Sequence, residues 1–150
     1  MSARHQPEQL SFALRVADER VMAGDGVTIV VDQRPSLQRL SSSQLGNQTL
    51  VLNIEAPQST EVGQCSVAGF GGRAVGGVTA LGRKTADGYE IEVSAPLKSV
   101  VDAQGAEWSS VQMGARVSDI DSEGEPPVEV LWRSSPDVRN NRPMAHLIRQ

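Results

Sequence analysis

Hydrophobic and polar residues alternate along most of this chain, the pattern of strands with one face buried and the other in solvent. Residues 10–16 put Leu10, Phe12, Leu14 and Val16 on one side and Ser11, Ala13 and Arg15 on the other. Val27-Thr28-Ile29-Val30-Val31 is rich in β-branched residues and ends at Asp32. Thr49-Leu50-Val51-Leu52-Asn53-Ile54-Glu55 stops before Pro57, a residue that cannot donate to a central ladder. The same pattern predicts strands over 62–68, 77–83, 89–95, 111–118, 128–133 and 144–149. Turn signals separate them: Gly24-Asp25-Gly26, Gly71-Gly72, Gly76-Gly77, Asp87-Gly88 and Pro126-Pro127. Helix is confined to two places. Pro35 to Leu45 reads as a loop with a helical turn. Pro96 can open one short turn over Leu97, Val100 and Val101, since proline suits the first helical position. Many short strands at this spacing predict an all-β fold: an antiparallel β-sandwich, jelly-roll or immunoglobulin-like, with very little helix.

No internal repeat or linker divides the 150 residues, so residues 1–150 read as one sandwich domain, with 1–9 a loose N-terminal segment. Aromatic residues are scarce: Phe12, Phe70, Tyr89, Trp108 and Trp132 are all of them. Phe12 and Tyr89 fall on strands as core or scaffold, and Trp108 is placed to cap the core. So few rings leave no broad stacking surface for single-stranded nucleic acid. A net charge of −4 gives a polyanion no general reason to dock, so no nucleic-acid partner is expected. No run approaches the ~18 apolar residues of a membrane span. The opening MSARHQPEQL lacks the apolar core of a signal peptide, so export would need a signal outside this sequence. Cys65 is alone, which excludes an intramolecular disulfide and an all-cysteine metal site.

Candidate chemistry is limited. The acidic segment Asp119-Ile120-Asp121-Ser122-Glu123-Gly124-Glu125 starts like a calcium loop, with oxygen ligands at alternate positions and glycine at the sixth. Val130 then occupies the twelfth position, where a bidentate glutamate belongs, and Pro126-Pro127 interrupts the geometry. Two readings stay open. One is a calcium site of another kind at Asp119, Asp121 and Glu123. The other is a solvated turn whose charges discourage sheet-edge association. The glycine-rich stretch from Gly69 to Gly77 lacks the lysine of a phosphate loop and has Ala74 where a dinucleotide fingerprint needs glycine, so it reads as a hairpin connection. His5 and His146 lie near the chain ends, and Cys65 has no nucleophile-elbow motif, so the chain is not expected to be an enzyme.

Trp132 lies in Val128-Glu129-Val130-Leu131-Trp132-Arg133, where alternation groups it with Val128 and Val130. With the valines facing inward, Trp132 is core or sits at the sandwich rim. A rim tryptophan stacks on the apolar face of a sugar ring, and Arg133 or Arg116 can hydrogen-bond the ring's hydroxyls. The candidate carbohydrate contacts are therefore Trp132, Arg133 and Arg116.

Three passages together resemble the family 9 carbohydrate-binding modules and their relatives in the DOMON-like group. The first runs from Leu10 to Asp18 and on through Met22-Ala23-Gly24-Asp25 to Asp32-Gln33-Arg34. The second is Asp87-Gly88-Tyr89-Glu90-Ile91-Glu92-Val93-Ser94-Ala95-Pro96-Leu97, and the third is Val111 to Asp121 followed by Leu131-Trp132-Arg133. The resemblance spans roughly residues 10–133. It implies an antiparallel β-sandwich whose loops bind sugar ends, in some members with structural calcium, and a secreted or cell-surface setting as an accessory domain of a longer protein. Met22-Ala23 stands where the family often has a tryptophan, which leaves Trp132 as the one stacking platform. A protein-interaction sandwich without a sugar site is the alternative. A haem-binding branch of the same group implies Met113, Met22 and His146 as ligands.

Overall fold

The computed structural model describes residues 2–6, 8–42, 48–69, 75–122, 124, 126–132 and 145–148, with side chains excepted at 2–6, 132 and 146. In chain order the strands are β1 Ser2–Gln6, β2 Gln9–Ala17, β3 Gly26–Asp32, β4 Thr49–Glu55, β5 Gly63–Gln64, β6 Val67–Ala68, β7 Thr79–Thr85, β8 Gly88–Pro96, β9 Ser110–Asp119, β10 Val128–Trp132 and β11 Ala145–Ile148. Two short helices join them, α1 Ser36–Ser41 and α2 Lys98–Gln104. One sheet has the order β1-β2-β8-β7-β5. The other runs β10-β9-β3-β4-β6, with β11 also paired to β9. Every described pairing is antiparallel. The chain is an all-β sandwich.

The period-two pattern sets the core. Leu10, Phe12 and Leu14 of β2 and Tyr89, Ile91, Val93 and Ala95 of β8 turn inward from one sheet. Val27, Ile29 and Val31 of β3, Leu52 and Ile54 of β4, and Val111, Met113 and Ala115 of β9 meet them from the other. Leu97, Val100 and Trp108 join the same cluster from around α2, so Trp108 is buried as the sequence suggests. Each buried aliphatic side chain contributes roughly 1.5–3 kcal/mol relative to an exposed one.

Three expectations need correction. Residues 2–6 are not loose: β1 pairs with β2 from Ser2↔Ala13 to Gln6↔Gln9. An edge strand is held through its main chain, so the polar sequence Ser2-Ala3-Arg4-His5-Gln6 gives no hydrophobic sign of it. The span 62–68 is not one strand. Its ends, β5 and β6, join different sheets, and the chain crosses between them through buried Cys65. Val128 and Val130 do not face into a core, being 57% and 56% exposed. They lie on the strand at the end of its sheet, where the facing sheet leaves them uncovered.

Candidate functional site

The ends of three strands converge at one end of the sandwich. Asp18 follows the last residue of β2, Asp25 precedes the first residue of β3, and Asp119 is the last residue of β9. Gly26 pairs with Ser118, so the β3 entry and the β9 exit are neighbours in one sheet, and the β2 exit, where Ala17 pairs with Gly88, meets them from the other sheet. Two glycines permit the close approaches. Gly88 has φ +139°, and a Cβ there would fall 2.0 Å from the Val16 carbonyl. Gly24 has φ +102°, and a Cβ there would meet Ile120 at 2.8 Å. Neither position admits a larger residue without displacement.

Asp25 is the anchor. It is 2% exposed and accepts the Met22 N–H on one oxygen and the Ile120 N–H, at 2.7 Å, on the other. The second of these bonds ties the β2–β3 loop to the β9–β10 loop. Asp18 accepts the Arg20 N–H at 2.7 Å. One carboxylate oxygen from each of Asp18, Asp25 and Asp119 lies within 4.8 Å of the others. Among the described residues no ion pair engages any of the three. Burial, followed by the charges of Asp18, Asp121 and Asp25, raises the Asp119 carboxyl above the ordinary aspartate value.

Two buried oxygens at this corner have no hydrogen-bond partner, Asp119 Oδ1 and the Tyr89 hydroxyl. Tyr89 is 1% exposed, and burial together with the charges of Asp25, Asp18 and Asp119 pushes its ionisation well above the usual tyrosine range. A buried hydroxyl near carboxylates would ordinarily donate to one of them, because an unmade hydrogen bond costs about 1–3 kcal/mol. Here it does not. The carboxylates are instead gathered about a point that no described cation neutralises.

A second buried aspartate shows what a balanced cluster looks like in the same protein. Asp32, at the far end of β3, is paired with Arg34 at 2.7 Å. Arg39 of α1 donates to the carbonyls of Arg34 and Ser110 and to the hydroxyls of Ser36 and Ser110. Gln104 donates to the carbonyls of Gln33 and Ser110. This end carries its own counter-charges, which fits a structural network. At the other end Lys84 donates to the Val21 carbonyl and Arg15 pairs with Asp87, and among the described residues no ion pair reaches Asp18, Asp25 or Asp119.

Beyond the trio opens a trough of about 660 Å³ lined by Ala17, Asp18, Glu19, Ala86, Asp87, Asp119 and Asp121. Asp87 is held by Arg15 at 2.9 Å, and Thr85 donates to its other oxygen. The Thr85 hydrogen bond and the Arg15 charge lower its carboxyl below the ordinary value.

The sequence-derived candidates are distributed differently. Of Asp119, Asp121 and Glu123, the first joins the trio, Asp121 lines the exposed trough wall, and Glu123 lies outside the described residues. Asp18 and Asp25 were not among the predicted ligands. Arg116 forms an ion pair with Glu129 at 2.9 Å, on the sheet face it shares with Leu131 and opposite that of Val128 and Val130. The register sets Trp132 against Ala115, several residues along β9 from Asp119. The Trp132 side chain, all of Arg133, and residues 70–74 of the glycine-rich stretch lie outside the described residues. Met113 is packed in the core and Met22 lies on the β2–β3 loop, so these two proposed haem ligands sit apart in the fold. No helix among the described residues is long and apolar enough to cross a membrane. Compared with protein-family models, curated proteins and solved structures, the chain matches none of them.

Proposed function

We propose that this chain is a non-catalytic binding module of the carbohydrate-binding type, built around a divalent cation of the calcium class held by Asp18, Asp25 and Asp119. The observation that carries this reading is the unbalanced trio with a buried, unpartnered Tyr89 hydroxyl beside it. Hard carboxylate oxygens suit calcium or magnesium. Oxygens up to 4.8 Å apart fit across a calcium shell, where each ligand sits roughly 2.3–2.6 Å from the ion. This set shares Asp119 with the Asp119, Asp121 and Glu123 that spacing suggested.

Sugar binding is supported by the resemblance of residues 10–133 and by a trough whose size suits a small ligand. Melting measured in chelator, in magnesium and in calcium tests the cation. Calcium at a hundredfold excess over its Kd is expected to raise Tm by roughly 5–10 °C. No shift would remove the cation. Calorimetry against a panel of mono- and oligosaccharides in calcium tests the ligand class.

A second reading, a protein-interaction sandwich without a sugar site, is favoured by the exposed Val128, Val130 and Leu131 of β10. Heat with a protein partner and none with any sugar would select it.

A further inference from the structure

The free N–H and C=O groups of a sheet edge template another strand unless the edge is short, charged or covered. The two sheets of this chain end at β1, β5, β6 and β10. β5 and β6 are two residues each, and β1 carries Arg4 and His5. β10 has neither protection. It is five residues long and pairs with β9 from Val128↔Asp119 to Trp132↔Ala115, and among the described residues no strand pairs with its other side. Its one charged residue, Glu129, is already held by Arg116 at 2.9 Å. β11 continues the same edge farther along β9. Among the described residues, four of the eight exposed large apolar side chains lie on these two strands: Val128, Val130, Leu131 and Ile148. The exposed apolar surface is therefore concentrated on one edge.

The sequence of β10 is its own complement. Two copies laid antiparallel about a two-fold axis normal to the sheet can be centred on any residue, but only the register centred on Val130 pairs all five positions. Val130 then faces its own copy, Glu129 faces Leu131, and Val128 faces the Trp132 position. Pro126-Pro127, which cannot donate to a ladder, falls outside the paired stretch. Val128 and Val130 of both copies share one face, and their row runs unbroken across the axis. On the other face each Leu131 meets a Glu129 that Arg116 has already neutralised. Centring on Glu129 instead would set two carboxylates opposite each other, which is destabilising, and would leave the end of each strand unpaired. A strongly acidic or basic partner finds no unpaired charge on this strand.

We propose that β10 is the interface of a homodimer, in which two copies of the chain join edge to edge about Val130 and one sheet runs through both. This names the partner of the β10 surface on which the protein-interaction reading rests, and it holds with or without a ligand at the aspartate corner. The contact is one five-residue strand, smaller than a permanent interface, so the dimer is weak and reversible.

The test is sedimentation of the full chain over about a thousandfold range of concentration. The apparent mass of the native chain should rise from 16.0 kDa towards twice that value. Val130→Lys and Val130→Glu each set like charges on the axis and should each weaken the dimer by at least about tenfold. An equimolar mixture of the two variants sets opposite charges there and should restore it. Val130 is 56% exposed, so both variants should melt as the native chain does in dilute solution. A native chain that stays at 16.0 kDa throughout would overturn the proposal and leave the protein-interaction reading to be decided by heat with another protein. Association that both variants keep would overturn it and assign the contact to another surface. A mixture that stays monomeric where the native chain dimerises would overturn the pairing about Val130.

Discussion

Asp119→Asn separates a cation site from a chance cluster of acids because it should stabilise the chain in chelator and abolish most of the stabilisation by calcium. In chelator at neutral pH, Asp119 stands among like charges, with Asp18 and Asp25 oxygens within 4.8 Å. At that separation each like-charge pair costs about 1 kcal/mol in a water-like dielectric, and more as burial lowers the dielectric. Neutralising Asp119 thus relieves about 2 kcal/mol. Asp119 Oδ1 has no hydrogen-bond partner to lose. For a domain of this size the gain corresponds to roughly 4–8 °C in Tm. In calcium the advantage shrinks. The native chain should gain about 2.7 kcal/mol at a hundredfold excess over its Kd. The variant, lacking one of three carboxylates, should bind calcium about a hundredfold more weakly and gain only about 0.4 kcal/mol at that concentration. Differential scanning calorimetry in chelator and in calcium reads both effects, and the variant's lead in chelator should be largely lost in calcium. A variant that melts below the native chain in chelator, or that keeps the full calcium shift, refutes the reasoning.

Asp25→Asn should do the reverse of Asp119→Asn in chelator. It puts an amide donor where two backbone N–H groups need acceptors, so a loss of about 2–4 kcal/mol in urea unfolding is expected. Without calcium, the raised Asp119 carboxyl makes the folded chain take up a proton before the unfolded one. Its contribution to stability therefore increases as pH falls from the folded value towards the ordinary one, and is lost as pH rises back; urea midpoints in chelator across that window check the sign. Tyr89 is the only tyrosine, and its ionisation is raised, so tyrosinate absorbance should stay flat well past pH of about 10 and then rise together with unfolding. A smooth titration near 10 in the folded protein would contradict its burial. Arg39→Lys should lose about 2–3 kcal/mol in the same unfolding assay, because an ammonium cannot span acceptors on Ser36, Arg34 and Ser110.

Much of the fold was legible because its strands carry their own periodicity. Leu10, Phe12 and Leu14 alternate, and they are buried. The errors fall where side-chain pattern and pairing part company. The β1 strand is polar and held by main chain, and the Val128–Val130 row alternates correctly on an edge that the facing sheet does not cover. The site was half legible. Asp119 was singled out through a local spacing rule, and that rule looked for its partners two and four residues onward. Its partners are Asp18 and Asp25, each at the end of a strand. An acidic residue at a strand end is visible in the sequence. Which strand ends become neighbours depends on sheet order, and alternation carries no information about order.

The sequence separation within the site also has a kinetic consequence. Ile120 N–H reaches Asp25 across 95 positions, and β2 pairs with β8 from Gln9↔Pro96 onward. Long loops of this kind close late and slowly, since their entropy is lost before the contacts that repay it are made. The three carboxylates therefore come together only when most of both sheets are in place, and an ion has nothing to grip on the way. Calcium should leave the refolding rate nearly unchanged and slow unfolding by almost the whole factor it adds to the equilibrium constant. An ion bound at the trio would not guide this chain to its fold; it would lengthen the time the chain remains there.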